Sequence, residues 1–416
     1  MSSSYLGRLV CPRCQRGYPE SAAFTLCPPC DADGQHVNPM PAYDMQRLGP
    51  GWRPDREQPG LYAYRDLLPL SPRAAPVSLG EGGTPLLPVA RLGEHLGLDA
   101  LYVKDESRSP TWSYKDRLAT VAVTKAREAG AEVVMVSSTG NHGAAAAAYA
   151  ASAGLRCIAL TLESVPLTMK VLMQSYGAHV VALRNAPDRW AVMREALGEY
   201  GWIPLSGFVN PPAGSNPFGV DGYKTIAYEI VEGLGRAPDV VVTPVAYGDG
   251  ITGLHRGFRD LVELGRVDAV PRLIAAEVFG PYSCALDTGE PGRGSIVAAG
   301  PSAAFSIATP VSAFQGWQAV TDSGGTAAAV PNDETIMTAQ ARLARLEGLY
   351  LEASAVITVA CLPALLARGA VRRHESVVCV GTSSGLKDVG ATAARLPPVE
   401  TIEPTLAALE RTLERA

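Results

Sequence analysis

The sequence predicts an α/β protein built on parallel sheets covered by helices, and three observations support that class. From about residue 85 onward, short apolar runs alternate with amphipathic helical segments. The composition is that of a globular protein, with 47% hydrophobic and 19% charged residues. A chain of 416 residues is long enough to bury a large core and to form more than one domain.

The alternation defines each element in turn. Short apolar runs predict strands at residues 100–105, 131–138, 156–162, 178–183, 238–246, 272–278 and 377–381. Helical periodicity that ends at glycine predicts helices at residues 115–130, 140–154, 165–177, 224–235 and 250–265. Because ligands of parallel sheets bind at the carboxyl ends of the strands, we expect the chemistry at the turns that lead from strand to helix.

Charge and hydropathy exclude several classes of protein. A net charge of −5 gives no basic surface for nucleic acid. No apolar run approaches the roughly 20 residues that a membrane span requires, and the N-terminal MSSSYLGRLV lacks the apolar core of a signal peptide. We therefore expect a cytoplasmic protein that binds neither nucleic acid nor a membrane.

The eight cysteines fall into two groups. One group stands in apolar surroundings and is expected to be buried as small hydrophobic residues: Cys157, Cys284, Cys361 and Cys379. The other forms two CxxC pairs with twelve residues between them, a spacing that can close a four-thiolate zinc site: Cys11, Cys14, Cys27 and Cys30. Two disulfides are the alternative, which a reducing cytoplasm disfavours. Because four thiolates leave the metal no open position, the predicted zinc ribbon is structural.

The segment SPTWSYKDR, residues 109–117, carries one of only six lysines in the chain. It lies where a loop that follows a predicted strand meets a predicted helix. A lysine can lose its proton when buried and act as a nucleophilic amine, which an arginine cannot do. Lys115 is therefore a candidate catalytic residue, and a solvated surface charge is the alternative.

The turn VSSTGNHG, residues 136–143, follows one strand and precedes a helix. It offers hydroxyls, an amide and free backbone N–H groups at a positive helix end, which together predict an anion site: Ser138, Thr139, Gly140 and Asn141. The alternative is a helix cap with glycines for tightness. For His142 alone, a capping or core imidazole is as plausible as a general acid or a carboxylate ligand.

Two more turns carry polar groups after apolar strands. In VAYGDGITG, residues 245–253, Gly248 and Gly250 allow the backbone to approach a phosphate closely, whereas Asp249 would repel it unless its carboxylate points away. In GTSSGLKD, residues 381–388, Thr382 begins a run of three hydroxyls. The sheet rule places both turns on the same face as Lys115.

These motifs, in this order, resemble threonine synthase and, more broadly, the fold-type II pyridoxal-phosphate enzymes that include serine/threonine dehydratases. The resemblance covers nearly the whole chain, from LVCPRC through SLGEGGTPLLP, KDESRSPTWSYKDR, SSTGNHG, DGYKT, PVAYGDGITGLHRGF and GLYLEASAV to GTSSGLKD. It implies a tryptophan synthase β-like fold and a homodimer. The implied domains are a zinc ribbon (1–45), a large cofactor-binding α/β domain (46–120 and 213–400), a small mobile α/β domain (121–212) and a C-terminal helix (401–416).

The resemblance also implies residue roles. Lys115 would carry pyridoxal phosphate covalently, Asn141 would bind the phenolic oxygen of the cofactor, and Thr382 would face its pyridine nitrogen. Ser138, Thr139 and neighbouring amides would bind the carboxylate of the substrate. His142 and Trp112, where this chain departs from the residues of the family, are further candidate substrate contacts. The phosphate of the cofactor would lie in the loop formed by Ala246, Tyr247, Gly248, Asp249, Gly250 and Ile251. A hydroxyl at the pyridine nitrogen does not hold that nitrogen protonated, which suits elimination and replacement better than transamination.

The sequence departs from the family where threonine synthases bind the phosphate of their substrate. The family has an Asn-Ser pair and an arginine before a Glu-Gly-Gln-Lys-Thr run, and the matching positions here are Ala213, Gly214 and Gly219. Each charge-assisted bond to a dianion contributes roughly 1.5–3 kcal/mol. Trp112 also replaces a small residue and is expected to narrow the pocket.

The leading hypothesis is therefore a pyridoxal-phosphate enzyme that performs elimination or replacement at the β or γ carbon of an amino acid, with the ligands for a substrate phosphate lost. One alternative is a true threonine synthase, which converts O-phospho-L-homoserine and water to L-threonine and phosphate. A second is a dehydratase or an ammonia-lyase that performs β-elimination. A third is a non-catalytic binding protein on an inherited scaffold, against which the retained Lys115 argues.

Overall fold

The computed structural model describes residues 5–413 and contains three sheets. The strands are β1 (Leu6–Val10), β2 (Gly17–Tyr18), β3 (Met40–Tyr43), β4 (Leu86–Pro88), β5 (Ala100–Asp105), β6 (Val133–Ser137), β7 (Arg156–Leu162), β8 (His179–Leu183), β9 (Ile203–Pro204), β10 (Val240–Pro244), β11 (Arg272–Glu277), β12 (Thr326–Ala329) and β13 (Ser376–Gly381).

The helices range from single turns to four turns in length. They are α1 (Pro28–Ala32), α2 (Met45–Leu48), α3 (Ala90–Leu96), α4 (Lys115–Glu128), α5 (Asn141–Ala153), α6 (Leu167–Ser175), α7 (Ala186–Tyr200), α8 (Pro217–Val220), α9 (Lys224–Leu234), α10 (Asp249–Glu263), α11 (Pro281–Thr288), α12 (Phe314–Asp322), α13 (Asp333–Glu347), α14 (Ala353–Ala360), α15 (Leu362–Ala367), α16 (Val389–Ala393) and α17 (Leu406–Leu413). Within the described part of the chain, none of them has the length and hydropathy needed to cross a membrane.

Two parallel sheets confirm the predicted α/β class. The larger has the order β12-β11-β10-β13-β5-β4, and the smaller has the order β8-β7-β6-β9. Strand β4 pairs antiparallel with β5, so the larger sheet is mixed at that edge. The division of the chain into a large unit and a mobile small unit stays a prediction, and its boundary at 120/121 falls inside α4.

Both faces of the larger sheet are buried, as expected for strands joined by helical crossovers. Successive residues of β10 show this: Val241 packs in a core with helices α4, α5, α9 and α10, whereas Val240 and Val242 pack in a core with α13 and α14. Three of the four isolated cysteines are buried as predicted, but Cys284 on α11 is only half-buried. That prediction was wrong because α11 lies near the surface at Cys284.

A buried ion network connects the first turn of α4 to the larger sheet. Arg117 donates to Glu106 and Glu229 at 2.7 Å each, and Lys104 donates to Glu229 at 2.6 Å. Burial raises the pKa of Glu229, but the charges of Arg117 and Lys104 outweigh burial and lower it to about 2. The network fixes the helix whose first residue is Lys115.

Candidate active site

A cavity of about 800 Å³ lies at the carboxyl ends of both parallel sheets. The parallel-sheet rule predicted this location. The described residues that line the cavity include most of those singled out from the sequence: Lys115, Ser138, Thr139, Asn141, His142, Ala246, Tyr247, Gly248, Asp249, Gly250 and Thr382.

Lys115 is the first residue of α4 and projects its amine over aromatic rings rather than toward an acid. Its Nζ lies 4.8 Å from the ring centre of Tyr114 and 5.6 Å from that of Tyr223. These two rings stack on each other at 4.7 Å. No carboxylate lies within 4.0 Å of Lys115 among residues 5–413. The amine is therefore available to a ligand in the cavity.

The turn that carries Lys115 is clamped to the turn that follows β13. Tyr114 donates its N–H to the carbonyl of Thr382 at 2.9 Å, and Ser113 forms a β-bridge with Ser383. Asp116 accepts from both the N–H and the hydroxyl of Thr111. The two turns, 267 residues apart in sequence at Lys115 and Thr382, are thus held at one end of the cavity.

Asn141 begins α5 and is fixed by a residue that sequence reasoning missed. Its Nδ2 donates to Oε2 of Glu352 at 2.8 Å, and its Oδ1 accepts from Ser383 at 3.4 Å. Glu352 is fully buried and also accepts from the hydroxyl of Ser306 at 2.7 Å. The signal for Glu352 in the sequence was its place in the family motif GLYLEASAV. Its contact with Asn141 has no local signal, because the two residues are 211 positions apart.

His142 follows Asn141 and faces the cavity with an unpaired Nε2. Burial and the nearby charge of Lys115 lower the pKa of His142 to about 3, although a hydrogen bond with the main chain of Leu205 opposes the shift. The ring is therefore neutral near pH 7. A neutral imidazole can exchange a hydrogen bond with a ligand but does not attract a carboxylate as a cation would.

The glycine turn before α10 has the geometry of an anion cradle. Gly248 adopts a left-handed φ of 81° at the N-cap, so successive backbone N–H groups of the turn lie at the positive end of a 15-residue helix. The carboxylate of Asp249 is engaged elsewhere, because its Oδ1 accepts from the N–H of Ser215 and from the amide of Gln315, both at 2.8 Å. Because these bonds hold the carboxylate of Asp249, its negative charge does not exclude a phosphate from the turn.

Two residues named from the sequence do not present their side chains to the cavity. Trp112 is 46% exposed and is absent from the cavity lining of the described chain, so the expectation that it narrows the pocket was wrong. The reason is that its backbone, at φ 60°, is held through its carbonyl by Ser383 and Ser384. Ile251 is fully buried in the core, which leaves only its backbone N–H for a ligand.

Two of the positions that the sequence comparison singled out, Gly214 and Gly219, have close neighbours in the structure. A Cβ on Gly214, whose φ is 102°, would lie 1.9 Å from the amide nitrogen of Gln315. A Cβ on Gly219 would lie 2.9 Å from Leu118 on α4. A side chain at either glycine would therefore require neighbouring groups to shift.

The four ribbon cysteines come together at the N-terminal sheet. Their Sγ atoms all lie within 4.8 Å of one another, with 3.6 Å between Cys11 and Cys30 and 3.5 Å between Cys14 and Cys27. A tetrahedral zinc site with Zn–S bonds near 2.3 Å requires about 3.8 Å between sulfurs. The cluster is compatible with zinc, and the cysteines are free of disulfides.

The cavity therefore combines an unpaired lysine, a glycine turn at a helix N-terminus and a hydroxyl at a strand end, which is the donor set that pyridoxal phosphate requires. Comparison with known proteins agrees: residues 77–383 match the family described as pyridoxal-phosphate dependent enzyme. The chain belongs to this family and is a threonine synthase-like, pyridoxal-phosphate-dependent enzyme.

Similar proteins include two archaeal threonine synthases. The threonine synthase of Methanosarcina acetivorans is 36% identical over 393 residues, which cover 91% of this chain and 92% of the relative. That of Methanocaldococcus jannaschii is 36% identical over 360 residues, or 85% and 87% of the two chains.

Solved structures with the same fold include maize serine racemase and O-ureido-L-serine synthase. Maize serine racemase has a TM-score of 0.63 and 19% identity, and the match covers 80% of this chain and 93% of the racemase. O-ureido-L-serine synthase has a TM-score of 0.60 and 22% identity, and the match covers 76% and 94% of the two chains. At these identities the likeness concerns the fold alone.

Proposed function

We propose that this enzyme performs elimination or replacement at the β or γ carbon of an amino acid, and that it has diverged from phosphohomoserine as its substrate. The observation that carries the proposal is the contrast within one cavity. Lys115 and the α10 turn line the cavity and can hold the cofactor, whereas Gly214 and Gly219 carry no side chain for a substrate phosphate and have close neighbours.

Each residue has a proposed task. The N–H groups of residues 246–251 at the start of α10 hold the cofactor phosphate, and Thr382 faces the pyridine nitrogen. Ser138 and Thr139, at the start of α5, bind the α-carboxylate of the substrate. Asn141 orients the cofactor through its phenolic oxygen, and Glu352 positions Asn141.

Lys115 performs the proton transfer. Bound pyridoxal phosphate supplies an electron-withdrawing ring that acidifies the α-carbon of the substrate. Nζ of Lys115, which would hold the cofactor covalently, would remove the α-proton of the substrate as a general base. The rings of Tyr114 and Tyr223 lie beside this amine, with their centres 4.8 Å and 5.6 Å from its Nζ.

Zinc is proposed as a structural ion held by the four ribbon cysteines. The docking of the ribbon supports this role, because Asn38 donates to the carbonyl of Ser215 and His36 lies 2.6 Å from the carbonyl of Pro211. Both carbonyls belong to the loop that borders the cavity. A homodimer, expected from the family resemblance, is also proposed and can be tested by analytical ultracentrifugation.

The experiment is a substrate scan with purified holoenzyme. O-Phospho-L-homoserine, L-serine, L-threonine and O-acylated homoserines are each supplied, and the release of phosphate, 2-oxo acid and amino-acid product is measured. We expect the kcat/KM for O-phospho-L-homoserine to fall orders of magnitude below that of the best substrate. Efficient conversion of O-phospho-L-homoserine to L-threonine would overturn the divergence and leave a true threonine synthase.

A true threonine synthase is the second candidate, and the archaeal relatives at 36% identity favour it. A dehydratase is the third, and the SSTGNH motif favours it because His142 stands where threonine synthases carry threonine. In the scan, a dehydratase would release 2-oxo acid from L-serine or L-threonine with no added nucleophile.

A further inference from the structure

An arginine with no protein counter-charge faces the cavity from the smaller sheet. Arg189, in the first turns of α7, is 5% exposed and lines the cavity together with Ala186, Pro187 and Trp190. None of the roles proposed above uses it.

The guanidinium of Arg189 lacks the partners that buried arginines normally have. Its Nε makes one long bond of 3.3 Å to the carbonyl of Ala186, and its two terminal nitrogens have no acceptor in the described part of the chain. No carboxylate among residues 5–413 lies within 4.0 Å of it. The neighbouring Asp188 is exposed and bonds to Asn185. The contrast is Arg117, which is fully buried but bonds to two carboxylates.

The surroundings of Arg189 favour an anion. It lies near the N-terminus of a 15-residue helix, whose dipole adds positive potential to its own charge. Trp190 packs edge-to-face on Tyr247 at 5.9 Å, which brings this end of α7 next to the α10 cradle. Burial lowers the pKa of Arg189, as expected when a cation is desolvated without an ion pair. A cation that is largely removed from water without a carboxylate partner is stabilised by a ligand that brings a negative charge.

We infer that Arg189 binds a second carboxylate, on the side chain of the amino-acid substrate. The inference rests on the proposed function and names its substrate class. Ala213, Gly214 and Gly219 offer no charged or polar side chain, whereas an anion next to α7 meets the bidentate donor Arg189. The second anionic group of the substrate is thus bound by a residue of the smaller sheet's helix α7 and not by the loop after β9.

The order of strands in the smaller sheet indicates how far apart the two proposed anion-binding positions lie. In the order β8-β7-β6, α7 follows β8 and the turn with Ser138 and Thr139 follows β6. Two strand spacings separate these starting points by about 10 Å. If the α-carboxylate lies at Ser138 and Thr139, the second anion is separated from it by a side chain of several atoms.

The test compares ligands that differ in charge. O-Succinyl-L-homoserine and O-acetyl-L-homoserine share an ester and differ by a terminal carboxylate, and O-phospho-L-homoserine provides the phosphate arm. Their Kd values are measured on the holoenzyme from the change in visible cofactor absorbance, which does not require turnover. We expect wild type to bind the succinyl ester about 10- to 100-fold more tightly than the acetyl ester. Tight binding of O-phospho-L-homoserine alone would contradict the carboxylate preference.

The variants assign the preference to Arg189. Arg189→Gln is expected to abolish the 10- to 100-fold preference, and Arg189→Lys to retain part of it. Arg194→Gln, at an exposed position on the same helix, is the matched control and should keep the preference. If Arg189→Gln does not retain the cofactor, the ligand preference of Arg189→Lys is compared with that of wild type instead, and a reduced preference supports the role of Arg189.

Two outcomes overturn the inference and are distinguishable from failure of the proposed function. Equal affinity of wild type for charged and neutral ligands, or an unchanged preference in Arg189→Gln or Arg189→Lys, refutes a role for Arg189 while amino-acid binding persists. By contrast, no absorbance change with any amino acid refutes the proposed function itself.

Discussion

The neutral His142 should make the enzyme sensitive to acid, and replacing it should remove part of that sensitivity. Its pKa is lowered to about 3 in the folded protein by burial and by the charge of Lys115, against about 6.5 in an unfolded chain. As the pH falls below 6.5, the unfolded chain takes up a proton that the folded protein refuses, so the free energy of unfolding decreases.

The size of the effect follows from the pKa difference. Each pH unit below 6.5 costs about 1.4 kcal/mol until the pH approaches 3, so pH 5 costs about 2 kcal/mol. His142→Thr should therefore lose about 2 kcal/mol less than wild type between pH 7.5 and pH 5. Burial and two nearby arginines lower the pKa of His255 to about 4, so His255 should cost a similar amount at pH 5 in both proteins.

Urea unfolding followed by circular dichroism at the two pH values measures this difference. His374→Thr, at an exposed position, is the control and should behave as wild type. If His142→Thr and wild type lose the same free energy between pH 7.5 and pH 5, His142 is not held neutral by burial, and the account of its electrostatics is refuted.

Three further predictions concern the supports of the site. Glu352→Gln weakens the hold on Asn141 and should shift the visible absorbance of the bound cofactor and lower kcat/KM about 10-fold or more; unchanged spectra would contradict its positioning role. Arg117→Met removes the guanidinium shared by Glu106 and Glu229, leaves Glu229 with Lys104 alone and should cost about 3–5 kcal/mol in urea unfolding, part of which Arg117→Met/Glu229→Met should restore; a neutral single variant would contradict the network. Cys27→Ser should reduce bound zinc, measured by atomic absorption, and lower the Tm, whereas Cys361→Ser should leave the zinc content unchanged; equal zinc in both variants would contradict the ribbon site.

Strongly patterned elements could be predicted from the sequence, and elements defined by their neighbours could not. The run RCIALTL coincides with β7, because a continuous apolar segment bounded by glycine and polar residues has few alternatives. Strands β4 and β12 were not predicted, because LLP and TAAA are too short to show a pattern. Their extended conformation comes from pairing with β5 and β11.

The same distinction applies to the site. Lys115 and the three polar turns could be found because each lies in a local motif that the sheet rule places at one face. Glu352 could not be assigned to Asn141, since that contact joins residues 211 positions apart. Arg189 was missed with its helix α7, although Pro187 near the start and Gly201 at the end were signals for that helix. The missing counter-charge of Arg189 is a property of packing that no local pattern encodes.

The most direct test of the central claim is the visible absorbance of Lys115→Ala compared with wild type and with Lys125→Ala on the same helix. The account predicts that wild type and Lys125→Ala carry a covalently attached cofactor that survives gel filtration and can be fixed to Lys115 by borohydride. Lys115→Ala should lack this attachment and all turnover while keeping its secondary structure. A cofactor that stays covalently attached in Lys115→Ala, or full activity of this variant, would contradict the assignment of Lys115.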